Sequence, residues 1–208
     1  MARHTDAKCK LCRREGMMLY LKGNRCFIGK CAFKRRETPP GQHNWRRGRR
    51  SEYGTRLREK QKVKRWYGVL DKQFRRYFAM AERQKGNTGE NLMAILERRL
   101  DSVLYWTGFA LSRPHARQLI RHGHVTLNGR KLDIPSALIK AGDEIAPADR
   151  EASKKQFAES MDLTKSRSIP SWLDVSTEPA KARVVELPKR EDVPFEVNEL
   201  FVVEVQKR

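Results

Sequence analysis

Residues 112–131 read Ser-Arg-Pro-His-Ala-Arg-Gln-Leu-Ile-Arg-His-Gly-His-Val-Thr-Leu-Asn-Gly-Arg-Lys, and this stretch decides the fold. It encodes a short helix, a stop and a hairpin in succession. Ser112 suits the N-cap, and Pro114 suits the first turn, where its missing N–H is not needed. Gly123 closes the helix. Val125-Thr126-Leu127 is strand-like, and Asn128-Gly129 is the strongest two-residue hairpin signal. Arg113, Arg117 and Arg121 repeat at i, i+4 and i+8, which predicts one basic stripe. Ala116, Leu119 and Ile120 form the opposite, buried stripe. His115, Gln118 and His122 fall between them. A basic helix leading into Arg130 and Lys131 makes a compact phosphate-reading face. His122-Gly123-His124 lacks a third nearby metal ligand, so a loop or RNA-contacting role is expected there.

Upstream, helical signals dominate. Ser51 caps a helix running to about Tyr67, and a second covers Leu70 to Gln84 with Phe74, Tyr77, Phe78 and Ala81 on one stripe. Thr88 and Glu90 start a third helix, whose Leu92, Leu96, Leu100 and Val103 give it one apolar face. Downstream, Asp143-Glu144-Ile145 supplies another strand, and 151–163 is a polar helix. Two β-rich runs follow, Ala182–Leu187 and Leu200–Val205; either could pair with the hairpin or pack on the N-terminal helices.

Charge locates the partner. The chain has 45 Lys plus Arg against 25 Asp plus Glu in 208 residues, a formal net of +20. Residues 1–90 carry +18, 91–132 carry +5, and the last 76 carry −3. An excess of this size attracts polyanions. The run Arg46-Arg47-Gly48-Arg49-Arg50 mixes no signs, as a solvated face normally would. Pro39, Pro40, Gly41 and Gly48 deny 37–50 a regular element, so it reads as a basic tether that orders against a partner. Six of the thirteen residues in 55–67 are cations: Arg56, Arg58, Lys60, Lys62, Lys64 and Arg65. They must spread around much of the helix, which suits a site enclosed by phosphate. The near-neutral tail is left to meet protein. No apolar run approaches the roughly 18 residues of a membrane span. The first residues lack the apolar core of a secretory signal, so a cytoplasmic location is expected.

All four cysteines fall in the first 31 residues, as Cys9-x2-Cys12 and Cys26-x4-Cys31. Two close pairs can place four thiolates tetrahedrally around one ion, and a closed Cys₄ zinc site is structural. A module with almost no core needs such a staple. Disulfides conflict with a cytosolic chain, but an iron–sulfur cluster also takes four cysteines. The expected zinc module presents Lys8, Lys10, Arg13, Arg14, Lys30 and Lys34. The whole therefore reads as α+β: a zinc-stapled, mostly helical N-terminal domain, then a small domain of helix and antiparallel sheet. The expected divisions are a zinc module (1–36), the tether (37–50), a helical polyanion-binding region (51–96), a small domain of helix and sheet (97–160) and a tail (161–208).

Several blocks then resemble the bacterial small-subunit ribosomal protein four family, in its zinc-bearing, four-cysteine form. They are Pro39-Pro40-Gly41-Gln42-His43, Ser51-Glu52-Tyr53-Gly54, Leu57-Arg58-Glu59-Lys60-Gln61-Lys62, Tyr67-Gly68-Val69-Leu70 and Gln73-Phe74-Arg75. The segment from Leu96-Glu97-Arg98-Arg99-Leu100-Asp101 to Gly142-Asp143 resembles the small RNA-binding domain named after that family. The likeness covers essentially the whole chain. It implies a non-enzymatic structural constituent of the small ribosomal subunit. Such a protein binds ribosomal RNA at a multi-helix junction of the 5′ domain and helps nucleate assembly. It also implies contact with the fifth small-subunit protein, a contribution to decoding accuracy, nearby messenger RNA, and no homo-oligomer. The implied RNA contacts map onto the tether (Arg46, Arg47, Arg49, Arg50), the 51–67 helix with Tyr53, and the 113–131 region including Asn128. Where that family continues as a basic strand, this chain has Ala146-Pro147-Ala148-Asp149, so no RNA contact is expected there.

Two rival functions are compatible with part of the sequence. Small domains of this kind occur in RNA-modifying enzymes, but no stretch here is long enough for a separate catalytic domain. A zinc-dependent DNA-binding regulator fits the charge, but the cysteine spacing lacks the helix of a groove-reading finger.

Overall fold

The computed structural model describes residues 4–42, 51–194 and 196–207. The chain divides into two compact units, one of Met1–Leu92 with Phe195–Arg208 and one of Met93–Pro194.

In the first unit, α1 (Lys8–Glu15) ends on Gly16, whose positive φ of 72° suits a residue without a Cβ. A 3₁₀ turn (Gly23–Cys26) and the single-turn α2 (Ala32–Arg35) follow. Helix α3 (Glu52–Trp66) starts where expected, with the Ser51 hydroxyl accepting from the Gly54 N–H. Helix α4 (Asp71–Glu82) buries the expected stripe of Phe74, Tyr77, Phe78 and Ala81. The division between units falls within α5 (Thr88–Glu97).

The long third helix of the sequence reading is two helices. After α5 the chain is extended at Arg99 (ψ 138°), and α6 (Leu100–Trp106) begins anew. The cause is a strand-like segment running alongside the break. Leu100 N–H donates to the Ala137 carbonyl (2.9 Å), Ile139 N–H donates to the Arg98 carbonyl (2.9 Å), and Arg99 bridges Leu138. The apolar period continued across the break because both sides face the same core.

Helix α7 (Arg113–Arg121) is capped by Ser112, whose hydroxyl accepts from the His115 N–H. The hairpin of β1 (Val125–Leu127) and β2 (Arg130–Lys131) turns on Asn128 and Gly129, both at positive φ (50° and 76°), as the sequence requires. Strand β3 (Glu144–Pro147) precedes α8 (Glu151–Thr164), β4 (Leu173–Ser176) and β5 (Lys181–Val184). The five strands form one antiparallel sheet ordered β2-β1-β3-β5-β4. Pro147 sits at the end of β3, opposite Val125 and beyond the part of β3 that pairs with β5, so its missing N–H interrupts no central ladder. The core joins α6 and α7 to the sheet through Leu104, Phe109, Ile120, Val125, Ile145, Phe157 and Trp172.

The run Leu200–Val205, expected as a strand, is a helix: α9 (Glu199–Lys207). It packs along α3 in the first unit and buries Val202 and Val205. Tertiary packing overrides the β-branched residues, while Asn198 at its start, Glu199 in its first turn and Lys207 in its last favour helix. The tail is thus split. Residues 173–184 complete the sheet, and 199–207 return to the first unit rather than standing free.

Candidate nucleic-acid interface

Four segments carry the residues singled out from the sequence: the cysteine module, the tether, α3 and the α7–hairpin region. Arg46, Arg47, Arg49 and Arg50 lie outside the described residues.

Helix α3 does not offer bare cations to an enclosing phosphate shell. Protein carboxylates meet all six. Arg56 reaches Glu204 of α9 (2.8 Å) and Glu52 (3.4 Å), and lies over the Phe201 ring. Arg58 and Arg65 converge on Glu15 at the end of α1, Arg58 across 3.3 Å and Arg65 closer still. Lys60 and Lys64 share Asp71 (3.7 and 2.8 Å), and Lys62 pairs with Glu59 (2.5 Å). Hydrogen bonding from Lys64 holds the Asp71 carboxyl below its ordinary value against partial desolvation, with Lys60 and Arg75 adding to the effect. Burial lowers Lys60, which is a core-facing lysine. The sequence showed only Glu59 because the other main partners come from α1, α4 and α9. Trp66 and Tyr67 are buried, whereas Tyr53 is half exposed.

In the cysteine module, Lys10, Arg14, Lys30 and Lys34 are exposed, and Lys8 and Arg13 are half-buried. Arg13 donates to the carbonyls of Thr38 (2.9 Å) and Pro39 (3.3 Å), and Arg14 to that of Pro40 (3.2 Å). These bonds fix residues 38–40, at the start of the tether, onto α1. None of the four cysteines is in a disulfide; Cys12, Cys26 and Cys31 are buried and Cys9 is half-buried. Among the described residues, no group of three or more His, Cys, Asp or Glu side chains is arranged to hold a metal ion. The thiols nonetheless lie near enough to influence one another's charge. Burial pushes Cys12 up to about 11, and Cys26, Cys9 and Cys31 each add to the rise, against a backbone hydrogen bond at Leu19. Burial likewise raises Cys26, with Cys31 and Cys9 contributing.

The expected arginine stripe of α7 is not a surface stripe. Arg113 is buried, 3.5 Å from Glu97 and stacked on the rings of Tyr105 (4.6 Å) and Trp106 (5.5 Å). Arg117 is half-buried and donates to Asp101 (2.7 Å), which also takes the buried Arg99 (2.6 Å). Burial alone would raise the Asp101 carboxyl, but Arg99 and Arg117 hold it below 3.8. Glu97 accepts from Ser102 (2.6 Å) and the Trp106 indole N–H (2.7 Å). Sequence reasoning missed this buried set; its signal was the charged Glu97-Arg98-Arg99 interrupting an apolar run. His115 and Asn128 are also engaged within the protein. His115 Nδ1 accepts from the Leu111 N–H (3.3 Å), and burial lowers its pKa. The Asn128 amide donates to Asp143 (2.9 Å) and accepts from the Glu144 N–H (2.8 Å), which joins the hairpin to β3.

Of the residues singled out in this region, Gln118, Arg121, His122, Arg130 and Lys131 are exposed, as is Asn128 beside its bonds to Asp143 and Glu144. The stem of Lys131 lies over Gly123, where an added Cβ would meet its Cε at 2.3 Å. His124 is held by Ser153 (Nδ1 to Oγ, 2.9 Å).

Residues 3–97 match the Ribosomal protein S4/S9 N-terminal domain family, and residues 98–145 match the S4 domain family. The chain is 51% identical over 208 residues to small ribosomal subunit protein uS4A of Alkaliphilus metalliredigens, covering all of both chains. It is 52% identical over 204 residues to uS4 of Thermodesulfovibrio yellowstonii, covering 98% of each. It is also 52% identical over 208 residues to uS4 of Halothermothrix orenii, covering all of both. With both family domains matched in order and the likeness running end to end, the chain belongs to the uS4 family of small ribosomal subunit proteins.

Proposed function

We propose that this chain is a structural constituent of the bacterial small ribosomal subunit that binds its ribosomal RNA directly and performs no catalysis. The full-length identity to uS4 proteins is the observation that carries this reading. The exposed cations agree with it: Lys10, Arg14, Lys30 and Lys34 in one unit, Arg121, Arg130 and Lys131 in the other. Recognition works on RNA shape and phosphate, because exposed cations carried on folded elements match a folded phosphate backbone rather than base edges. The protein nucleates assembly at a multi-helix junction of the 5′ domain. It contacts the fifth small-subunit protein, contributes to decoding accuracy, and lies near the channel by which messenger RNA enters. It works in the cytoplasm, on the ribosome. No helix among the described residues is long and apolar enough to cross a membrane. Co-purification with the small subunit tests the reading; absence from that particle contradicts it.

The cofactor of this reading is one structural zinc ion on Cys9, Cys12, Cys26 and Cys31. Their paired spacing, the burial of Cys12, Cys26 and Cys31, and their mutual electrostatic influence support a common site. Bound zinc would hold the four sulfurs as thiolates and tie metal binding to folding of the module. Elemental analysis of purified protein tests this, one zinc per chain supporting it and iron with sulfide replacing it by a cluster.

A further inference from the structure

We propose that Arg14, Arg58 and Arg65 form a seat for one phosphate-sized oxyanion, anchored from below by Glu15. The seat is a cavity of about 320 Å³ lined by these three arginines and Pro39. Arg58 and Arg65 stand two turns apart on one face of α3, and both aim a guanidinium at the Glu15 carboxylate. That carboxylate is 1% exposed, so it serves as an internal anchor. Arg14 enters from α1 and is fixed on the Pro40 carbonyl. Pro39, the fourth wall, is held by Arg13 through its own carbonyl.

The stoichiometry indicates the ligand. Three guanidinium groups line the cavity, and among the described residues the one carboxylate they reach is Glu15, held by Arg58 and Arg65, so two positive charges are left over there. Each guanidinium has five N–H donors, and the bonds among the described residues engage one N–H of each. The remaining forks match a tetrahedral oxyanion in a way that a lysine cluster would not. Burial lowers the Arg65 pKa against Glu15, and Arg58 and Arg14 lower it further, a repulsion an anion would relieve. The walls are pinned before any ligand arrives, which reduces the ordering cost of binding. The proposal rests on the RNA-binding reading for one possible source of phosphate, not for the seat itself. The same chemistry is offered by a backbone phosphodiester and by a free phosphate ion.

The test titrates inorganic phosphate into the full-length chain at constant ionic strength, with chloride as the comparison, and follows the arginine Nε–H signals by NMR. The expected result is saturation confined to Arg14, Arg58 and Arg65. Arg14→Gln and Arg58→Gln should each weaken it about tenfold, the size of one charge-assisted hydrogen bond. Arg14 makes no bond to Glu15, so its variant keeps the anchor intact even if Arg58→Gln unfolds. Lys154→Gln should leave saturation unchanged. Non-saturating shifts spread over all basic residues would overturn the seat. The same variants on a small-subunit ribosomal RNA fragment identify the source. A similar loss assigns the seat to a backbone phosphate, and unchanged RNA affinity assigns it to a free ion. A chain that saturates with phosphate but ignores the RNA keeps the seat and defeats the RNA reading. A chain that binds the RNA without saturating defeats the seat alone.

Discussion

Arg117 donates to Asp101 across 2.7 Å, from α7 to α6, and so ties the two helices whose apolar faces build the core of the second unit. The same carboxylate accepts from Arg99, and all three side chains are wholly or largely withdrawn from water. Buried ions of this kind are costly to break singly, because the partner is left without a counter-charge.

Asp101→Asn is therefore expected to lower unfolding stability by about 3–5 kcal/mol, read by urea denaturation. The pH dependence has a defined sign. The folded carboxyl titrates below 3.8, so its contribution is present above the unfolded value and is lost as pH falls below it. Acid unfolding of the wild type below about pH 4 should be steeper than that of Asp101→Asn.

Gly123 takes φ +74° beneath the Lys131 stem. Gly123→Ala should cost about 1–2 kcal/mol from backbone strain, plus the clash. Adding Lys131→Ala should recover only the clash part. Thermal unfolding of both variants separates the two contributions, and full recovery in the double variant would show that strain is negligible.

The last helix should matter more through its valines than its ions. Deleting 199–208 removes the burial of Val202 and Val205 against α3, an expected loss on the order of 3–5 kcal/mol. Glu204→Gln breaks a partly exposed pair with Arg56 and should cost less than about 1 kcal/mol. Urea titration measures both.

Chelation tests the zinc reading. Removing metal should lower helical circular dichroism and expose residues 4–36 to protease, and Cys12→Ser should do the same without chelator. Unchanged protease resistance after complete metal removal would contradict a structural ion.

Local signals were legible wherever a residue acts on its own backbone. Ser51 and Ser112 cap the helices they announce, and Asn128-Gly129 makes the turn it announces. Misreadings arose where distant chain decides. Leu200–Val205 is rich in β-branched valine, yet packing on α3 makes it helical. The α5–α6 break is imposed by hydrogen bonds from 135–139, far along the chain. The arginine period of α7 was visible, but not that Tyr105, Trp106 and Glu97 would take Arg113 inside. The excess charge was plain from composition, while its pairing on α3 depended on Glu15, Asp71 and Glu204 arriving through the fold.

The surface cations should dominate RNA affinity. Charge removal at Arg121, Arg130 and Lys131 is expected to weaken binding more than removal at Lys154 and Lys155, with no loss of thermal stability for the first two. Charge removal at Arg56, Arg58 and Lys60 should also weaken binding more than at Lys154 and Lys155, but with a stability loss, because all three are engaged inside the unit. Filter binding and thermal melts on the same proteins distinguish these outcomes.

Equilibrium binding of the full-length chain to a folded 5′-domain fragment of small-subunit ribosomal RNA, against duplex DNA of equal length across a salt series, tests the central claim most directly. The account predicts tighter binding to the RNA at every salt concentration, with log affinity falling linearly as log salt rises. Equal affinity for the two polymers would contradict it.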